Sequence, residues 1–243
     1  MLRYFNIVLA CLIIIALSSC KKACNCVEST GEPTEQTVTV PYFEQINAYN
    51  NINVFISMGS PEQVQIQGGK NLLSNVSAEV SNGVLILKNN NICNWLRSYA
   101  KSAINVYITM PRITYITSSG VGTIQSTDTL TTDTIQVTTS NTGNINLTLN
   151  NQLIEGHLFG SSDLSLAGKS HQFLCSYVGG TGSLYCNNLT TGYTFFSDNT
   201  TGDCYIGTTN LFDIVISQIG NVYYLGNPTI HPTITGSGQL IHE

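Results

Sequence analysis

Gly179-Gly-Thr-Gly-Ser-Leu184 and Asn199-Thr-Thr-Gly-Asp-Cys204 share one plan: small polar residues, a glycine, a polar residue, then an apolar one. The same plan recurs at Ser118-Ser-Gly-Val-Gly-Thr-Ile124, Ser140-Asn-Thr-Gly-Asn-Ile145, Gly160-Ser-Ser-Asp-Leu164, Gln218-Ile-Gly-Asn-Val222 and Gly236-Ser-Gly-Gln-Leu240. With Gly122, Gly143, Ser162, Gly182, Gly202, Gly220 and Gly238 as the marker, the steps are 21, 19, 20, 20, 18 and 18 residues. Two places after the marker stand Ile124, Ile145, Leu164, Leu184, Cys204, Val222 and Leu240, all apolar. One place after it stand Thr123, Asn144, Asp163, Ser183, Asp203, Asn221 and Gln239, all polar. Alternation with period two is the mark of a strand with one buried face.

A strand–turn–strand unit of this length cannot bury its apolar face alone, whereas stacked copies can. The repeat therefore predicts an all-β fold, a parallel β-solenoid of about seven rungs spaced roughly 4.8 Å apart. The usual crossover preference makes it right-handed. An antiparallel sandwich is the competing architecture, but its strands would not hold one register of small residues through every unit. Upstream of each marker, Ile135-Val137, Ile154, Leu174, Phe196, Phe212-Ile214-Ile216 and Ile230 are expected to supply a second inward strand. Residues 38–112 lack the repeat. Asn53-Val-Phe-Ile56, Gln63-Val-Gln-Ile66, Val84-Leu-Ile-Leu87 and Asn105-Val-Tyr-Ile108 read as strands split by turns such as Ser81-Asn-Gly83. They form either early rungs or a cap over the open end of the solenoid.

Charged residues are only 9% of the 243, far below the roughly 25% of an ordinary soluble domain. From residue 113 onward the one basic Lys or Arg is Lys169, against Asp128, Asp133, Glu155, Asp163, Asp198, Asp203, Asp213 and Glu243. Nucleic acid is excluded as a partner, because a phosphate backbone requires a basic patch.

Arg3 precedes the apolar run Ile7–Leu17, which ends at Ser18-Ser19-Cys20. A basic start, a short apolar stretch and small residues describe an export signal. Leu17-Ser-Ser-Cys20 resembles a bacterial lipobox, which implies cleavage before Cys20 and its lipidation. The organisation expected is a signal over 1–19, a polar tether over 20–37, an N-terminal β region over 38–112 and the repeat solenoid over 113–243. Export permits disulfides among Cys24, Cys26, Cys93, Cys175, Cys186 and Cys204. The parity of the strands places Cys186 and Cys204 inside as unpaired thiols and Cys175 outside, and Cys93 is a candidate partner for Cys24 or Cys26.

The order of features resembles one family. Tyr42-Phe-Glu-Gln-Ile46 opens the region, Asn71-Leu-Leu73 precedes Asn82-Gly-Val-Leu-Ile86, and Ile108-Thr-Met-Pro111 leads into the repeated glycine turns. This pattern over about residues 40–243 is similar to the head GIN domain family, described as auto-transporter adhesins and common as lipoproteins of Bacteroidetes. The resemblance implies a β-helix, an outer-membrane lipoprotein on the cell surface and a role in adhesion. It supplies no catalytic residues. Trimerisation is implied only by analogy with other adhesins.

Outward parity is expected to expose Tyr115, Tyr177, Tyr185, Phe195, Tyr205 and Tyr223 as a binding face for a glycan or a host or envelope protein. Tyr185, Tyr205 and Tyr223 each stand three places after their markers, so cross-rung stacking explains them equally well. No cofactor, metal or catalytic residue is expected. Asp163 and Asp203 share an outward column two rungs apart, too far to ligate one cation, and turn-shaping Asx roles account for them. Asp128-Thr-Leu130 and Asp133-Thr-Ile135 resemble an O-glycosylation acceptor motif of Bacteroidetes. The reading that results is a non-enzymatic recognition module. Its alternatives are a glycan-active β-helix enzyme and a periplasm-facing assembly lipoprotein.

Overall fold

A computed structural model describes residues 29–92 and 103–243. The expected signal, the lipidation site at Cys20, residues 20–28 of the tether and Cys24, Cys26 and Cys93 lie outside the described residues.

The strands are β1 (Pro33–Val38), β2 (Gln45–Asn50), β3 (Asn53–Met58), β4 (Gln63–Gly69), β5 (Val76–Ser81), β6 (Val84–Asn89), β7 (Asn105–Met110) and β8 (Tyr115–Gly120). Then come β9 (Ile124–Thr139), β10 (Ile145–Phe159), β11 (Leu164–Val178), β12 (Leu184–Asn199), β13 (Cys204–Ile216), β14 (Val222–Leu225), β15 (Thr229–Ile234) and β16 (Leu240–His242). Among the described residues one short helix, α1 (Lys70–Leu73), follows β4.

From β8 onward the chain is a parallel β-solenoid. Each long strand pairs with the next in parallel, and its two halves contribute to two columns. In the first column Ile124, Ile145, Leu164, Leu184, Cys204, Val222 and Leu240 are successive register partners. All but the terminal Leu240 are fully buried, as the position two places after the marker requires. The second column runs through the ends of β9 to β13 and closes on β15. Inward side chains of both columns make one continuous core.

Residues 38–112 contribute rungs and a cap together. β2–β3 forms a rung whose halves pair in parallel with β8 and β9. β6 and β7 form the rung beneath it, although they come later in the chain. Below that rung the pairing turns antiparallel: β4 joins β7, β1 joins β4, and β5 joins β6. The β5–β6 hairpin turns at Asn82 and Gly83, both with positive φ (52° and 77°), as a two-residue Asn-Gly hairpin demands. The solenoid end that would otherwise expose an edge is thus covered by strands of opposite direction.

The marker position is explained by rung contact. A Cβ on Gly143 would sit within 3.0 Å of the Gly122 carbonyl oxygen, and Gly202, Gly220 and Gly238 stand in the same relation to the marker beneath each. The polar position after it forms a ladder. The Asp163 N–H donates to Asn144 Oδ1 (3.0 Å) and the Ser183 N–H to Asp163 Oδ1 (2.9 Å). Higher up, the Asn221 N–H donates to Asp203 Oδ1 (2.9 Å) and the Gln239 N–H to Asn221 Oδ1 (3.0 Å). The column continues down to Asn53, whose Oδ1 accepts from the Thr123 N–H.

Three parity expectations are corrected in β11. Leu174 faces outward and Phe173, fully buried, takes the inward place, because Phe173 pairs with Ile154 below and Thr194 above. Cys175 and Tyr177 follow Phe173 inward. Cys186 and Cys204 are also buried, and all three thiols are free.

Candidate functional site

The six aromatic residues expected on one face divide three ways. Tyr185, Tyr205 and Tyr223 line the outer side of the first column as register partners. Their rings stack with centroids 5.6 and 5.0 Å apart and interplanar angles of 10° and 11°. Tyr185, at the ladder's lower end, is 42% exposed. Partial burial, followed by nearby Asp203, raises the Tyr205 phenol above its ordinary value. Two further aromatics stand in the same column: Phe55 and Tyr107 stack at 4.7 Å. Sequence reasoning passed over this pair, although each follows an Asn-Val that matches the polar–apolar step after a marker. Between the two clusters the column carries Gln125, Asn146 and Ser165.

Tyr115 and Phe195 lie on the outer side of the second column, in a row that reads Tyr115, Gln136, Glu155, Leu174, Phe195, Asp213. Tyr115 is half-buried and its hydroxyl donates to Thr138 Oγ1 (3.2 Å). Phe195 is 37% exposed. Beside this row run His157, Ser176, Ser197 and Val215, where His157 Nδ1 and Ser176 Oγ lie 3.2 Å apart. Small hydroxyl residues between larger neighbours leave a groove of about 450 Å³.

Tyr177 belongs to neither face. It is 1% exposed, and its hydroxyl donates to the Ser162 carbonyl at 2.5 Å. Burial, with the neighbouring Cys204 next in weight, raises its phenol well above the ordinary value. The reason lies in the β11 register: an outward Tyr177 would require Phe173 to leave the core.

Tyr177 shares the interior with an unforeseen carboxylate. Asp198 is fully buried and follows Tyr177 in the same inward column. Its Oδ1 accepts the Thr200 N–H (3.0 Å), while Oδ2 has no partner. Burial pushes its pKa up to about 6, opposed by the Thr200 hydrogen bond. Burial also holds the thiols of Cys175, Cys186 and Cys204 well above the ordinary range, so they are protonated and unreactive. Among the described residues no three His, Cys, Asp or Glu side chains gather as metal ligands. Asp163 and Asp203 each have Oδ1 committed to the backbone ladder.

What the fold and its faces define is a capped parallel β-solenoid with outward aromatic rows and a hydrogen-bonded turn ladder. The chain belongs to the head GIN domain family, whose description is "Putative auto-transporter adhesin, head GIN domain"; the match spans residues 42–228. Among solved structures it is similar to a putative adhesin of Bacteroides fragilis (TM-score 0.78, 22% identity, covering 87% of this chain and 97% of that one). It is also similar to a putative adhesin of Parabacteroides distasonis (TM-score 0.66, 16% identity, 88% and 98% covered). A third structure, titled a putative lipid binding protein, comes from the same organism (TM-score 0.66, 14% identity, 89% and 99% covered). At these identities the likeness shows the fold. No curated protein matches the chain. No helix among the described residues is long and apolar enough to cross a membrane.

Proposed function

We propose that this chain is a lipid-anchored recognition module of the bacterial cell surface, which binds a glycan or a protein through its outer sheet faces without covalent chemistry. The observation that carries this reading is the ladder of Tyr185, Tyr205 and Tyr223. Three aromatic rings on a rigid β framework form a large contact surface that loses little side-chain entropy on binding. Anchorage is assigned to Cys20 and its acyl groups on the outer membrane. The family's adhesin description and the scarcity of basic residues, which disfavours polyanionic ligands, support the same reading. Thr129 and Thr134 of the two O-glycosylation-like motifs are exposed, and an intact mass carrying hexose increments would establish their use.

The test compares attachment of cells displaying the full chain with cells displaying a Tyr185→Ser, Tyr205→Ser, Tyr223→Ser variant at equal surface level. Loss of attachment to glycan or matrix-coated surfaces is expected. Unchanged attachment contradicts the reading.

A further inference from the structure

The geometry points to the groove beside Phe195 as a binding site for an uncharged pyranose, separate from the tyrosine ladder. In the ladder, Tyr205 has a stacked ring on each side, so it meets a partner with its edge and hydroxyl. No ring among the described residues stacks on Phe195, and more than a third of that residue is open to solvent. Leu174 and Asp213 are its register partners, and a ring open to solvent offers an apolar platform for the C–H face of a sugar.

The groove's other side chains suit a polyol. Ser176 and Ser197 are among its lining residues, and His157 stands at hydrogen-bond distance from Ser176. Glu155 and Asp213 flank the row that contains Phe195, and neither carboxylate has a salt-bridge partner among the described residues. Carboxylate oxygens accept two hydroxyl hydrogens readily and form charge-assisted hydrogen bonds. No Lys or Arg lines the groove, so uronates and sulfated sugars are repelled. Its volume of about 450 Å³ falls within the roughly 300–1,000 Å³ typical of small-ligand sites. The two carboxylates stand three rungs apart, roughly 14 Å, with the neutral Leu174 and Phe195 between them and the serines in the row alongside. A basic side chain at either end would leave that centre unused, whereas a pyranose on Phe195 engages it.

Saturation-transfer NMR and calorimetry of the full chain with uncharged hexose oligosaccharides test this site. An oligogalacturonate and an oligolysine peptide serve as charged comparisons. Binding of the uncharged sugars is expected to weaken about tenfold in Phe195→Ser, the size of one lost stacking platform. Ser197→Trp, which fills the groove, should abolish it, and Lys169→Ala, exposed and away from both faces, should leave it intact. Both groove positions are exposed, and a thermal melt confirms that the variants fold. Sugar binding that survives both groove variants overturns the inference. So does loss only in Tyr205→Ser, which would support the ladder instead. Failure of the native chain to bind any uncharged sugar, or preference for either charged ligand, also overturns it.

Discussion

At the marker glycines the backbone of one rung rests on the carbonyl oxygen of the rung beneath, which leaves no room for a methyl group. Gly202→Ala should therefore destabilise the fold by about 1–3 kcal/mol, as overpacking does, measurable by chemical denaturation. Ser162 occupies that position with a Cβ, and its buried Oγ has no partner. The polar position that follows predicts a different pattern. Asp163→Ala removes the acceptor for the Ser183 N–H and should cost roughly 1–2 kcal/mol, whereas Asp163→Asn, which retains a carbonyl, should cost far less. Asp198 makes a pH prediction. Its folded pKa of about 6 lies above the ordinary 3.8, so the native state holds the proton where the unfolded chain has released it. Stability from this group is full below pH 3.8, declines as pH rises to about 6, and then levels off. The whole effect is about 3 kcal/mol. Thermal melts across pH 4–7 should show this decline in the native protein and a flatter profile in Asp198→Asn.

Among the elements, stacked side chains matter more than single ones. Tyr205 has a ring on both sides and Tyr185 on one. Tyr205→Ala should cost about twice as much as Tyr185→Ala, with each lost pair worth roughly 0.5–1 kcal/mol. The first column was legible in the sequence, because a glycine followed by polar then apolar residues fixes parity without ambiguity. The second column was legible except in β11. There Phe173 and Leu174 are both apolar, so local alternation does not choose between them, and only pairing with Ile154 and Thr194 does. Choosing Leu174 placed Cys175 and Tyr177 on the wrong side. Asp198 was legible by parity, since it stands two places after the inward Phe196, and its charge masked that signal. The groove beside Phe195 arises from four rungs side by side, which periodicity along the chain does not reveal.

Across the whole molecule, the rungs that come out of chain order decide how the solenoid begins. β6 and β7 slide in beneath β2 and β3, and the antiparallel strands β1, β4 and β5 close that end. Contacts in such a rod are mostly between neighbouring rungs, so its stability is close to a sum of neighbouring interfaces. The rod presents two distinct outer faces, one with the tyrosine ladder and one with the Phe195 groove, and both serve recognition only if the solenoid stands outside the cell. Protease treatment of intact cells, with a periplasmic protein as control, tests that directly. Cleavage of the solenoid with the control intact is the result predicted. Complete protection until the outer membrane is permeabilised would contradict a surface adhesin and favour a role in envelope assembly.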